Sequence, residues 1–206
     1  MRRSLRWWLV AACAGVGPMG FAAEGDAAAG KAKSALCQSC HGANGKSAEP
    51  TVPSLAGQHV DYILKQIYDF QMESRSDPRM SPIAHTLANA QDTRDIAAYF
   101  AAQPTMHGTL GKNAQVPRGK AIYDNGIPAR GIGSCAQCHG PNGKGSAQGM
   151  ALFPVIGGQN KAYMLKQFND FKMGKRNTDP SGVMAGLGKQ LNKEELDAVA
   201  EYLAGM

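Results

Sequence analysis

The chain has no cysteine to spare. Of its 5 cysteines, Cys37, Cys40, Cys135 and Cys138 fall in two short repeated motifs, and Cys13 lies in an N-terminal segment that carries the marks of removal. A disulfide-stapled scaffold is therefore excluded. Alternation is equally scarce: no stretch alternates apolar and polar residues for long enough to give a strand, which leaves a helical fold. The apolar run from Trp7 to Phe21 is shorter than the ~20 residues that a membrane-spanning helix needs. Charge is modest as well, a net +6 over 206 residues, and nucleic acid is not an expected partner.

What the chain does have is Cys-x-x-Cys-His, written twice, as Cys37 to His41 and Cys135 to His139. This pentapeptide is the attachment site of a c-type haem. Two thiols at this spacing reach the two vinyl groups of one porphyrin as thioethers, and the next residue presents an imidazole to the iron. Two covalently bound haem c groups are expected, with His41 and His139 as iron ligands. Two other readings of the cysteines are weaker. A single four-thiolate zinc site needs no histidine after each pair, and nearly a hundred residues between pairs is far wider than ribbon spacing. A thioredoxin-like dithiol needs a βαβ setting that neither motif has.

The first residues agree with haem attachment outside the cytoplasm. Arg2, Arg3 and Arg6 precede the apolar run, and Ala22-Ala23 supply the small residues for cleavage before Glu24, so residues 1–23 read as a signal peptide and the mature protein as periplasmic. Val10-Ala11-Ala12-Cys13 resembles a lipobox, but only a short apolar run precedes Cys13. Without residues 1–23 the chain keeps 19 basic and 16 acidic residues. They are unevenly spread: residues 24–107 hold 7 basic and 9 acidic, residues 108–206 hold 12 and 7. Lys161, Lys166, Lys172, Lys175 and Arg176 carry much of this asymmetry and read as a solvated helix face that could orient the molecule against an acidic partner.

An internal repeat sets the architecture. Pro53-x-Leu55-x-Gly57-Gln58-x3-Tyr62-x-Leu64-Lys65-Gln66-x2-Asp69-Phe70-x-Met72 returns as Pro154 through Met173 at a constant offset of 101. The expected organisation is an N-terminal domain over 24–106, a linker at 107–118 and a C-terminal domain over 119–206. The second domain carries about nine extra residues before its motif, around Asp124 to Ile132, expected as a loop. Each half is small for a core of side chains alone, and a buried haem would supply the missing apolar surface.

The pattern is all-α. Tyr62 to Phe70 reads as a helix with Ile63, Ile67 and Phe70 on one face, matched by Met164, Phe168 and Phe171, with Lys65 and Lys166 pointing away. Asn192 and Glu195 form a capping box for the last helix. The projection puts Met72 and Met173 opposite the apolar face, which argues against them as ligands. Met80 and Met184 follow Asp77-Pro78 and Asp179-Pro180 in segments expected to be loops. Met80 is assigned to the iron of His41 and Met184 to that of His139. His59, His85 and His107 have no partners in the second half, so His85 competes with Met80 at the first iron alone. Pro53 and Pro154, 12 and 15 residues after the histidines, place carbonyls that could accept the second imidazole N–H.

Haem motif, repeat and downstream methionine coincide twice, and in this the chain resembles the dihaem cytochromes c4. That resemblance implies two tandem class I cytochrome c domains, each wrapped around one covalent haem and related by a pseudo-twofold axis. It further implies His/Met ligation by His41, Met80, His139 and Met184, and no catalytic residue. The implied role is an electron carrier between a quinol-oxidising complex and a terminal oxidase or reductase, with peripheral membrane association. The alternatives are a dihaem redox enzyme, such as a peroxidase or thiosulfate-oxidising cytochrome, and an electron-accepting subunit of a dehydrogenase.

Overall fold

The computed structural model describes residues 24–148 and 151–206; the expected signal segment, with Cys13, lies outside them. Among the described residues each half contributes five α-helices in the same order. The first half comprises α1 (Ala27–Lys33), α2 (Ala35–His41), α3 (Val60–Gln71), α4 (Met80–His85) and α5 (Ala90–Ala101). The second comprises α6 (Gln115–Asn125), α7 (Ala136–His139), α8 (Lys161–Lys172), α9 (Val183–Gln190) and α10 (Lys193–Gly205).

The first and last helices of each half cross at close range, and a glycine makes this contact. A Cβ on Gly30 of α1 would lie 1.9 Å from the Asp95 carbonyl oxygen of α5, and one on Gly119 of α6 would lie 2.0 Å from that of Ala198 in α10. Side chains then close the cores beneath the crossings. Ile63, Ile67 and Phe70 of α3 pack with Ile96 and Phe100 of α5, while Met164 of α8 packs with Leu196, Val199 and Leu203 of α10 and Tyr123 of α6. Phe100 and Tyr123 are wholly buried, and each such side chain contributes ~1.5 to 3 kcal/mol by leaving water. α10 starts on the expected capping box, Asn192 Oδ1 accepting from Glu195 N at 2.9 Å while Glu195 Oε2 accepts from Asn192 N at 2.9 Å.

Three local expectations are corrected. Met80 and Met184 do not sit in loops: Met80 opens α4 and Met184 is the second residue of α9. Pro82, in the first turn of α4, lacks only an N–H that has no partner at a helix start. A strand pair does form, β1 (Ser146–Gln148) antiparallel to β2 (Ala151–Phe153); three residues per strand are too few for alternation to register. The five basic residues do not form one solvated face. Arg176 is buried, and Lys166 reaches Asp77 of the first half at 3.4 Å.

The extra residues before Cys135 form a turn, Pro128–Arg130, closed by an Ile127 to Ile132 bridge. The stretch between α5 and α6 is packed: Met106 is buried with Ala56 and Val155. α6 begins at Gln115, so residues 115–118 of the expected linker are helical, with Pro117 in the first turn.

Candidate functional site

The motif histidines end their helices, and a glycine with positive φ follows each, Gly42 at 84° and Gly140 at 73°. The chain can therefore turn away at once and leave the imidazole facing inward. His41 and His139 are buried. Nδ1 of His41 lies 2.8 Å from the Pro53 carbonyl oxygen and Nδ1 of His139 lies 3.0 Å from that of Pro154. The proton is thereby fixed on Nδ1, and Nε2 keeps a free lone pair. Burial holds both imidazoles below the ordinary histidine range, against the opposing pull of the proline carbonyls, so they stay neutral. A neutral, oriented imidazole is what a metal ligand requires.

None of the four motif cysteines is joined in a disulfide. Among the described residues no three His, Cys, Asp or Glu side chains converge as a metal cluster. The two cysteine pairs are not brought together, which removes the single zinc site.

A cavity of about 760 Å³ runs through both halves. His41, Met80, Cys37 and Cys40 line it from the first half, and His139, Met184 and Cys138 from the second. Its walls are mostly apolar, with Ile63, Ile67, Phe70 and Phe100 answered by Met164, Phe168 and Phe171. His85 is exposed, its Nδ1 2.8 Å from the Ser81 carbonyl oxygen, and does not line the cavity. Met72 and Met173 are exposed at the ends of α3 and α8.

The aspartates before the methionines have a part that the motifs alone did not suggest. Asp77 Oδ1 accepts from Met80 N at 3.1 Å, and Asp179 Oδ2 accepts from Met184 N at 2.8 Å. Each carboxylate caps a short helix and fixes the backbone of the residue that presents sulfur. The signal was visible as Asp-Pro a few residues ahead of both methionines.

Where the halves meet, Tyr62 and Gln66 of α3 and Arg75 beyond its end lie against Tyr163 and Gln167 of α8 and Arg176 beyond its end. Arg75 Nη2 donates to Gln167 Oε1 at 2.7 Å and to Tyr163 Oη at 3.2 Å. Reciprocally, Arg176 Nη2 donates to Gln66 Oε1 and Tyr62 Oη, both at 2.9 Å. Each guanidinium also stacks 4.6 Å from a ring centroid, Arg75 on Phe70 and Arg176 on Phe171. Among the described residues these two buried cations have only neutral hydrogen-bond partners, and Arg176 Nε has none. Both line the cavity. Buried charge of this kind calls for an anion, and haem, with two propionates on an apolar disc, suits the cavity in both respects.

Tandem helical domains, each aiming an imidazole and a thioether into an apolar cavity beside a Cys-x-x-Cys pair, define a c-type cytochrome. The cytochrome c family model matches residues 27–103 and again 116–206. Cytochrome c4 from Pseudomonas aeruginosa is 40% identical over 185 residues, 89% of this chain and 90% of that protein. The crystal structure of reduced recombinant cytochrome c4 from Pseudomonas stutzeri superposes with a TM-score of 0.83 at 36% identity, covering 88% of this chain and 99% of that one. A thiosulfate dehydrogenase electron acceptor from Stutzerimonas stutzeri is 35% identical, covering 82% of this chain and 78% of that protein. The chain belongs to the dihaem cytochromes c4. It is an electron-transfer cytochrome with two covalently bound haem c groups, one per domain.

Proposed function

We propose that this protein carries electrons through the periplasm from a quinol-oxidising cytochrome complex to a terminal oxidase or reductase. Cys37 and Cys40 would hold the first haem by thioethers, with His41 and Met80 to ligate its iron; Cys135 and Cys138 would hold the second, with His139 and Met184. The observation that carries this reading is the pairing, in both halves, of a neutral Nδ1-protonated histidine with a helix-capped methionine on one apolar cavity. Haem c supplies one-electron ferric/ferrous chemistry at each site. The chain's residues set its conditions. Pro53 and Pro154 hold the imidazoles by their Nδ1 protons, Asp77 and Asp179 hold the methionines in place, and the apolar walls exclude water. Thioether ligation raises a haem potential relative to more basic axial sets, which suits a carrier late in a respiratory chain. The mature chain is placed in the periplasm because haem motif and N-terminal signal agree, and peripheral association with the membrane goes with a membrane-bound electron donor.

The test is to mix the purified protein with quinol and a bc-type complex, then with a terminal oxidase. Fast reduction by the first and fast reoxidation by the second are expected; reduction no faster than by quinol alone overturns this role. The second reading, an electron-accepting subunit of a thiosulfate dehydrogenase, draws on the likeness to the Stutzerimonas stutzeri protein. It predicts co-purification with such an enzyme and reduction by thiosulfate in its presence.

A further inference from the structure

The glutamine after the repeat's glycine, Gln58 in the first domain and Gln159 in the second, crosses the domain interface. Gln159 Oε1 accepts from Ser54 N at 2.9 Å and its Nε2 donates to Ser54 O at 2.9 Å. Gln58 does the same to Val155, donating to its carbonyl and accepting from its N–H, each at 2.9 Å. All four residues are buried. Each amide side chain grips a backbone segment of the other domain as a neighbouring strand would.

The segment gripped is the one that orients the iron ligand. The Ser54 N–H belongs to the same peptide group as the Pro53 carbonyl, and the Val155 N–H to the same group as the Pro154 carbonyl. A continuous chain of hydrogen bonds thus runs from His41 Nδ1–H through the Pro53–Ser54 amide to Gln159 Oε1. Its mirror runs from His139 Nδ1–H through the Pro154–Val155 amide to Gln58 Oε1. An amide whose N–H is donated becomes a better acceptor at its oxygen. A better acceptor at Nδ1–H makes the imidazole more electron-donating and favours ferric iron.

We propose that Gln58 and Gln159 are crossed positioning residues: each tunes the haem of the opposite domain through that domain's proline amide. This rests on His41 and His139 being the iron ligands. The arrangement joins the two redox sites through the interface, so that each potential depends on one glutamine of the opposite domain.

The test uses the full dihaem protein with Gln159→Leu and Gln58→Leu, in potentiometric reductions followed by NMR, where each haem's resonances report separately. Gln159→Leu is expected to raise the potential of the haem at Cys37/Cys40 and to leave the other in place. Gln58→Leu is expected to do the reverse. The expected size is a change of about two- to threefold in the reduction equilibrium, or ~18 to 28 mV at ~59 mV per tenfold for one electron. A shift confined to the mutated domain's own haem, equal shifts in both, or none overturns the proposal. Amide exchange of Ser54 and Val155 in the unaltered reduced protein needs no variant. Strong protection of both is expected, and exchange at the rate of exposed backbone overturns the proposal. The ligand reading is checked separately in the same spectra: ring-current-shifted imidazole protons of His41 and His139 report ligation, so their absence sinks the ligand assignment, whereas their presence with uncrossed shifts sinks the crossed tuning alone.

Discussion

Gly30→Ala puts two effects in opposition, and the structure decides between them. In an isolated helix alanine is favoured over glycine by ~1 kcal/mol. In α1 the new methyl would lie 1.9 Å from the Asp95 carbonyl oxygen and 2.9 Å from Tyr99 Cβ. A carbon and a carbonyl oxygen approach to about 3.3 Å, so α1 must retreat from α5 by about 1.4 Å. A gap of that size forfeits a large part of the dispersion along the whole crossing, and overpacking costs ~1 to 3 kcal/mol or more. A net loss of about 2 kcal/mol is expected, which for a domain of this size lowers Tm by ~8 to 16 °C. Gly119→Ala is expected to match it, its methyl 2.0 Å from the Ala198 oxygen and 2.9 Å from Tyr202 Cβ. Gly133→Ala is the control, since its methyl meets only Gln137 Oε1 at 3.6 Å. The assay is thermal unfolding of the holoprotein followed by far-UV circular dichroism. Gly30→Ala unfolding at or above the wild-type temperature would refute the reasoning.

Further outcomes follow from the sites. Asp95 is held at about 2 by its bond to Lys33, helped by Asp26 N and Gln91; a depressed carboxylate stabilises the fold above its ordinary range and loses that contribution as pH falls from ~4 towards 2. Acid unfolding should therefore begin in that window, and Asp95→Asn should flatten it. Removing the cap in Asp179→Ala or Asp77→Ala costs ~1 kcal/mol of helix-start stability. The affected methionine should then be displaced by added imidazole about fivefold more readily, read from the sulfur-to-iron band; equal displacement in the two proteins would deny the caps any part. Met80→Ala and Met184→Ala should each remove half of that band, whereas Met72→Ala and Met173→Ala should leave it whole.

Much of the site was legible because covalent chemistry fixes spacing. Cys-x-x-Cys-His carries its own geometry, and Asp77-Pro78 and Asp179-Pro180 pointed to the methionines that follow them, although Met80 and Met184 lie outside the 101-residue register of the repeat. What stayed hidden depends on the partner domain. Arg176 looked like one more cation on a basic stretch, since nothing local to α8 says that Tyr62 and Gln66 of the other half enclose it. Gln58 and Gln159 were visible as a repeated letter, but their hydrogen bonds span 97 and 105 residues. The helices that carry Met80 and Met184 were read as loops because proline and glycine were weighed against helix interiors, whereas both methionines stand in first turns, where an Asp cap and a missing N–H do no harm.

The central claim is that both irons are held by histidine and methionine. The direct measurement is the optical spectrum of the purified oxidised protein, extended into the far red, together with a haem count per chain. Two haems with the full sulfur-to-iron charge-transfer intensity of two His/Met sites are predicted. Half that intensity, or high-spin features that change on adding peroxide or thiosulfate, would mean that one iron lacks its methionine and would contradict the account.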